Sequence, residues 1–257
     1  MLYVSGMGHD GNMRMKSESI SGTRRAAWLK ELAALVSIVL VTTVVFWATD
    51  LDIGVARVFY APGHPGGAWP YFDNTLWHVL YASDDYLTAA LSALALGLIA
   101  VGALTRGRRH LLRYGLFILL SGLLGTGLLT NLVFKEYWGH PRPDNIVQFG
   151  GELAYLPPLA KGIAGEGESF PSGHVSIAFS YIAIWFILRR RRHRAAILCL
   201  IAVVALTGLE GVARMVRGRH FLSDVLWGAY IPYMVCFVLY YFVFRFNTEP
   251  EGTAEEP

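Results

Sequence analysis

The chain has 257 residues, of which 54% are hydrophobic and 16% charged, with a mean hydropathy of +0.42. That composition excludes a disordered chain and argues against an ordinary soluble domain. Twenty-two Lys and Arg against nineteen Asp and Glu leave a net charge of +3, too small to imply a nucleic-acid partner.

Residues 1–27 carry Arg14, Lys16, Arg24 and Arg25 but no apolar core of the kind a cleavable secretory signal needs, so they read as a cytoplasmic N-terminal segment. Six apolar blocks follow, over residues 28–49, 86–105, 112–134, 174–188, 195–215 and 221–246. A bilayer core about 30 Å thick takes roughly 20 apolar residues per helix, so the fourth block is short and the last long enough to tilt. Backbone polar groups in lipid must be satisfied within their own segment, which makes each block a helix. The expected fold class is therefore all-α: a six-transmembrane-helix bundle over residues 28–246, then an acidic, mobile tail over 247–257. Cys199 and Cys236 fall inside apolar blocks and read as small core residues, not as a disulfide or zinc site. Gly122, Gly125 and Gly127 in the third block read as sites of close helix packing.

Lys and Arg set the expected orientation. Arg106, Arg108, Arg109 and Arg113 lie between blocks two and three, Arg189–Arg192 and Arg194 between blocks four and five, and Arg245 ends block six. With six spans these turns share the cytoplasmic side with both termini. The segment 51–85 holds only Arg57 and four aspartates and fits the outer side. Its Trp69, Tyr71, Phe72, Trp77, His78 and Tyr81 read as an interfacial aromatic belt.

The chemistry-bearing residues fall in the two remaining outer loops. One runs from Lys135 through His140, Pro141, Arg142 and Pro143 to Ser169, Phe170, Pro171, Ser172, Gly173 and His174. The other runs from Arg214 through Arg217, Arg219 and His220 to Asp224. Ionisable residues at membrane depth are expensive and mark function by default. Ser172 stands where it can cap the following helix, and Gly173 allows a ligand close to the backbone. The N–H groups of such a helix start bind anions, above all phosphate. His220 and Asp224 are four apart, so the carboxylate can hold one ring nitrogen and leave the other free to attack. Lys135, Arg142 and Arg214 supply cations suited to phosphate oxygens. Glu210, four before Arg214, can hold that guanidinium, and Asn131 stands in the same relation to Lys135. Zinc ligation by His174, His220 and Asp224 is the alternative, and the three surrounding cations oppose it, so no metal or other cofactor is expected.

Together these segments resemble the three-part signature of the type 2 phosphatidic acid phosphatase superfamily: Lys-x6-Arg-Pro, Pro-Ser-Gly-His and Ser-Arg-x5-His-x3-Asp. Lys135, Arg142 and Pro143 match the first part, Pro171 to His174 the second, and Arg214, His220 and Asp224 the third. Ala213 stands where the family has serine. The resemblance implies that His220 is the nucleophile, forming a phosphohistidine, that Asp224 orients it, and that His174 protonates the leaving oxygen and then activates water. It implies that Lys135, Arg142, Arg214, Ser172 and Gly173 hold the phosphoryl oxygens, with Pro143, Pro171 and Glu210 in support. The substrates implied are phosphorylated lipids of the bilayer: phosphatidic acid, phosphatidylglycerol phosphate, polyprenyl diphosphate or lipid A. The loop 144–170, rich in Gly and Pro, is similar to the bacterial lipid A phosphatase branch and reads as a lid over the site. Its Glu152, Glu166 and Glu168 are expected to face solvent. A cell inner-membrane location with an outward-facing site follows, and no protein partner is evident. Two rivals remain at this point: a phosphotransferase passing the phosphoryl group to a second lipid, and a non-catalytic anion-binding transporter.

Overall fold

A computed structural model describes residues 7–248, with side chains from Trp28 onward except at Phe72 and Asp73. The side chains of the basic residues before Trp28 and the tail past Thr248, on which two of the expectations fall, lie outside what is described. Among the described residues there are helices, turns and two isolated backbone bridges, with no strand.

The chain divides into two units, one ending at Thr42 and one starting at Thr43. Helix α1 (Met7–Ala48) begins in the first; its stretch Trp28–Ala48 is long and apolar enough to cross a membrane. Thr42 turns its hydroxyl onto the Ile38 carbonyl at 2.7 Å, which spares an apolar surface an open polar group.

In the second unit, α2 (Leu51–Val58) is short, and α3 (Thr75–Tyr81) leads directly into α4 (Ser83–Leu104). Asn74 starts α3 by accepting the Leu76 N–H at 2.9 Å. Helix α5 (Arg109–Trp138) is α-helical to Ser121, wound in the wider π form over Gly122–Lys135, and stops at Gly139 with φ +63°. A long loop leads to α6 (Gly173–Leu188); α7 (His193–Met215) and α8 (Leu222–Val243) complete the bundle. Five helices are long and apolar enough to cross a membrane: Trp28–Ala48, Thr75–Leu104, Arg109–Trp138, His193–Met215 and Leu222–Val243. The fourth expected span forms α6, a helix shorter than these, because its apolar block is itself short and ends at the Arg189–Arg192 run.

Packing follows small residues. Gly115 of α5 lies so close to Ala95 and Ile99 of α4 that a Cβ would collide with them, and Gly125 meets Pro232 of α8. Helix α6 packs against α7, α8 and the π-wound stretch of α5. Its Ser176 and Ser180 meet Thr126 and Thr130 there: Thr126 Oγ1 lies 2.9 Å from Ser176 Oγ and 2.8 Å from Ser180 Oγ. Large apolar side chains such as Leu96, Leu132, Leu198, Ile201 and Val204 point outward, the inverse of a water-soluble bundle.

The two ends of the bundle differ. At one, Arg113 donates to the Phe244 carbonyl at 2.5 Å, Arg190 donates to the Asn247 carbonyl, and Arg189 lies over the rings of Phe186 and Tyr240. Basic turns far apart in sequence thus meet beneath the end of α8. The other end is capped by α2 and the loop before α6. Ile53 and Ala56 of α2 join Ile146, Phe149 and Phe221 in one apolar cluster. The rings of Tyr60, Trp69 and Phe149 pack with centroids 5.0–5.5 Å apart. Trp69 therefore belongs to this cap. Trp47 fixes the loop further by donating to the Pro158 carbonyl at 2.8 Å.

Candidate active site

At the capped end the three sequence segments meet. Lys135 ends the π-wound stretch of α5, Gly173 and His174 open α6, Arg214 lies in the last turn of α7, and Asp224 in the first turn of α8. Backbone bonds hold them together: Ser172 N–H donates to the Asp224 carbonyl at 3.0 Å and Arg219 N–H to the Arg214 carbonyl at 3.1 Å.

His220 is 3% exposed, and its Nδ1 lies 2.7 Å from the Ser169 carbonyl oxygen. A carbonyl only accepts, so Nδ1 carries the hydrogen and the lone pair of the neutral ring sits on Nε2. Burial, reinforced by the charges of Arg214 and Lys135, pushes the His220 pKa well below its ordinary value. The ring is neutral at physiological pH.

Asp224 does not grip His220 as its spacing suggests; the closest approach is 3.8 Å. Its Oδ2 instead accepts the Ser169 hydroxyl at 2.5 Å and the Phe221 N–H at 2.7 Å. At the third position of α8 a carboxylate reaches back to cap the helix start, and that direction carries it to Ser169. The orienting contact therefore runs from Asp224 through Ser169 to His220. Motif spacing assigns Ser169 no role, because its two contacts cross between segments.

Ser172 also departs from expectation. Its carbonyl accepts the Ser176 N–H at 3.0 Å, but its hydroxyl makes no capping bond. That oxygen is fully buried and has no hydrogen-bond partner among the described residues. Beside it, a Cβ at Gly173 would stand 2.9 Å from Asn131 Oδ1 and 3.0 Å from Lys135 Nζ. Glycine is what allows the Lys135 ammonium to lie against the start of α6.

His174 Nε2 lies 3.2 Å from Asp84 Oδ2 and 3.4 Å from Arg214 Nη1. It faces an acceptor and a donor, so either protonation state of the nitrogen finds a partner. Tyr81 stacks on the His174 ring at 5.3 Å and lies under the guanidinium groups of Arg214, at 4.7 Å, and Arg217, at 4.2 Å. Asp84 and Tyr81 come from the α3–α4 turn, far from the motif segments. The one available sequence signal was an acidic pair, Asp84 and Asp85, at a helix start.

Glu210 does not hold Arg214. Its Oε1 accepts the Ser83 hydroxyl at 2.7 Å, while Oε2 has no hydrogen-bond partner. The Arg214 side chain leaves its own helix face to cover Tyr81. Arg142 stands at the rim, 30% exposed, 3.3 Å from Glu168, which is thus an ion-pair partner beyond its expected solvent role. The two prolines follow the chain path into the cup: Pro143 is buried behind Arg142, and Pro171 follows a cis bond from Phe170.

Other buried groups brace the cup. Asp52 of α2 accepts Ser223 N–H at 2.8 Å, Ser223 Oγ–H at 2.5 Å and Tyr155 O–H at 2.9 Å. Burial raises its pKa against these bonds. Arg219 pairs with Asp144 at 3.1 Å, tying the third segment to the loop. His140 is wholly buried between the Phe170 and Phe221 rings, and burial lowers its pKa to about 4. The zinc arrangement of His174, His220 and Asp224 is not formed, since both rings turn to other partners. Among the described residues no three His, Cys, Asp or Glu converge as a metal-holding group.

The model of the PAP2 superfamily matches residues 110–248. A lipid A 4'-phosphatase of Francisella tularensis subsp. novicida is 34% identical over 130 residues, 50% of this chain and 58% of that protein. A lipid A 4'-phosphatase of Rhizobium etli is 31% identical over 195 residues, 71% of this chain and 70% of that one. Phosphatidylglycerophosphatase B of Bacillus subtilis is 31% identical over 131 residues, 49% and 56% of the two chains. Apart from the Rhizobium etli protein, the chain spans about half the length of these relatives. The crystal structure of a transmembrane PAP2 type phosphatidylglycerolphosphate phosphatase from Bacillus subtilis aligns over 80% of this chain and 92% of its own, with TM-score 0.49 and 21% identity. With the family matched over more than half its length, and a relative aligned across 71% of it, the chain belongs to the PAP2 superfamily.

Proposed function

We propose that the protein is an integral membrane lipid phosphatase that removes a phosphate from a phosphorylated lipid through a phosphohistidine on His220. The observation that carries this reading is the 2.7 Å bond from His220 Nδ1 to the Ser169 carbonyl, which leaves the Nε2 lone pair available beside Lys135, Arg214 and His174.

His220 Nε2 attacks phosphorus, and the bond from phosphorus to the lipid oxygen breaks. His174 gives its Nε2 proton to that oxygen. Water then attacks the phosphohistidine, His174 takes the proton back, and the P–N bond breaks to release inorganic phosphate. Lys135, Arg142, Arg214 and the start of α6 neutralise the charge that spreads over the phosphoryl oxygens. The buried, unbonded Ser172 hydroxyl supports its place among these donors. Asp224 orients His220 by way of Ser169.

Lipid A is the favoured substrate, supported by the relatives named lipid A 4'-phosphatases and lipid A 1-phosphatases. Phosphatidylglycerol phosphate, phosphatidic acid and polyprenyl diphosphate form the comparison set. The proposed topology has six spans in the inner membrane, with both termini cytoplasmic and the site facing the periplasm. Gathering of Arg113, Arg189 and Arg190 at the end opposite the site supports that orientation. As the fourth span, α6 would rise about 24 Å at 1.5 Å per residue, short of a bilayer core. Its polar start would then sit below the outer surface, at the depth of lipid headgroups.

The test is inorganic phosphate release from each lipid by the purified protein, with radiolabelled substrate and an alkaline detergent quench, in which a phosphohistidine survives, to trap the intermediate. The reading predicts an acid-labile label on wild type and none on His220→Gln. Full phosphate release by His220→Gln would overturn it.

A further inference from the structure

Buried cations are commonly fixed by a carboxylate. Arg214, only 7% exposed, is fixed otherwise. Glu210, one turn earlier, turns to Ser83, and the Arg214 Nε has no hydrogen-bond partner among the described residues. What lies against the guanidinium is the ring of Tyr81, with its centroid 4.7 Å from Cζ. Arg217 lies over the same ring at 4.2 Å.

The difference matters for an anion site. A carboxylate would fix Arg214 and at the same time cancel the charge that phosphate needs. The negative face of an aromatic ring attracts a cation and brings no net charge. Tyr81 holds the guanidinium and leaves its full charge to the cup.

The same ring serves His174. The two planes lie 26° apart, with centroids 5.3 Å apart. The contact with Asp84 fixes one atom of the imidazole, and the stack fixes its plane, so that Nε2 points between Asp84 and Arg214.

Tyr81 is itself placed from outside the three motif segments. It ends α3, which packs on α7, and two residues later Ser83 is tied to Glu210 of α7. That bond joins the α3–α4 turn to the helix that carries Arg214, so ring and guanidinium keep one register. Glu210 supports Arg214 by this route and not by direct contact. Burial of apolar surface does not account for the ring's place, since Tyr81 stays 43% exposed.

We infer that Tyr81 is a positioning residue of this site, which sets the plane of His174 and holds Arg214 without cancelling its charge. It acts through these two side chains and not on the substrate. The inference rests on the lipid phosphatase reading and deepens it.

Substitutions at Tyr81 separate the ring face from mere bulk. Tyr81→Leu removes the ring, Tyr81→Phe keeps it, and Tyr81→trifluorophenylalanine keeps the shape of Phe while stripping the negative face. Tyr86→Leu, at an exposed tyrosine of α4, is the control. Phosphate release is measured on dodecyl phosphate, whose alkoxide must be protonated to leave, and on dodecanoyl phosphate, whose carboxylate leaves without a proton. Tyr81→Leu should lower kcat/KM about 100-fold on the first and about tenfold on the second, because only the first needs an aimed His174. Tyr81→Phe and Tyr86→Leu should stay within about threefold of wild type on both. Titration calorimetry with inorganic phosphate should show binding about fivefold weaker in the fluorinated variant than in Tyr81→Phe. Equal losses on the two substrates, a loss in Tyr81→Phe as large as in Tyr81→Leu, or equal phosphate affinities in Tyr81→Phe and the fluorinated variant would overturn the inference. The last pair differs little in shape, so that comparison stands even where Tyr81→Leu does not fold. Phosphate binding needs no turnover: if wild type releases phosphate from neither substrate, the phosphatase reading fails, and the affinities still decide whether the ring holds Arg214.

Discussion

Ser169 joins Asp224 to His220 with its two oxygens: its hydroxyl donates to the carboxylate at 2.5 Å and its carbonyl accepts from the ring at 2.7 Å. Asp224 therefore acts on the ring through the backbone of a third residue. Asp224→Asn should lower kcat by about 100-fold or more with KM little changed, as removal of an orienting carboxylate does elsewhere. Ser169→Ala keeps the carbonyl and loses only the hydroxyl, so its loss should be smaller, about tenfold. Steady-state kinetics on the two variants check the order; equal losses would mean that the hydroxyl carries the whole effect.

Asp84 is the carboxylate that faces His174, at 3.2 Å. On the proposed mechanism Asp84→Asn should lower kcat by about 10- to 100-fold, because the amide oxygen still accepts from His174 but no longer brings the negative charge that favours its protonated form. Asp85→Asn, an exposed neighbour in the same helix turn, should stay within about twofold of wild type. Parallel assays of the two isolated variants test whether the effect belongs to the contact with His174.

Gly173→Ala places a methyl group against Asn131 Oδ1 and Lys135 Nζ, both ends of flexible side chains. The fold should survive, but the ammonium must move away from the start of α6. A loss of about 10- to 100-fold in kcat/KM is expected, together with weaker inhibition by inorganic phosphate. Unchanged phosphate inhibition would place the Lys135 ammonium outside the anion site.

Acid should loosen the capped end. The folded protein holds His140 neutral down to about pH 4, whereas an unfolded histidine takes its proton near pH 6.5. Between those values the unfolded chain binds more protons, so stability falls as pH falls, and it is fully present only above about pH 6.5. For His140 the loss at pH 5 is about 2 kcal/mol. His220, also held neutral by burial, adds in the same direction. Thermal denaturation in detergent at pH 7 and pH 5 reads this, and His140→Phe should show a smaller drop than wild type.

The sequence made the cup's own residues legible because each lies in a short stretch with fixed spacing. Lys135, Ser172, Gly173, His174, Arg214, His220 and Asp224 do meet at one end of the bundle. The partners of those residues were not legible. Spacing arguments work along one helix, and the contacts of His174 with Asp84 and of His220 with Ser169 cross between separate segments. The same limit explains Glu210, where the i to i+4 rule pointed to Arg214 and the carboxylate instead found Ser83 on another helix. All six apolar blocks form helices, and five of them reach span length, while the fourth forms the shorter α6. The π winding of Gly122–Lys135 leaves no trace in apolar periodicity.

One consequence concerns the outline of the functional unit. The family match begins at residue 110, yet Asp52 fastens the start of α8, and Tyr81, Ser83 and Asp84 line the cup from before that point. An excised fragment trimmed to the matched boundaries would retain every signature residue and still lack the wall those residues lean on. Domain swaps between relatives should therefore carry the segment 51–85 together with the three motifs, or the graft will import His220 without the scaffold that aims it.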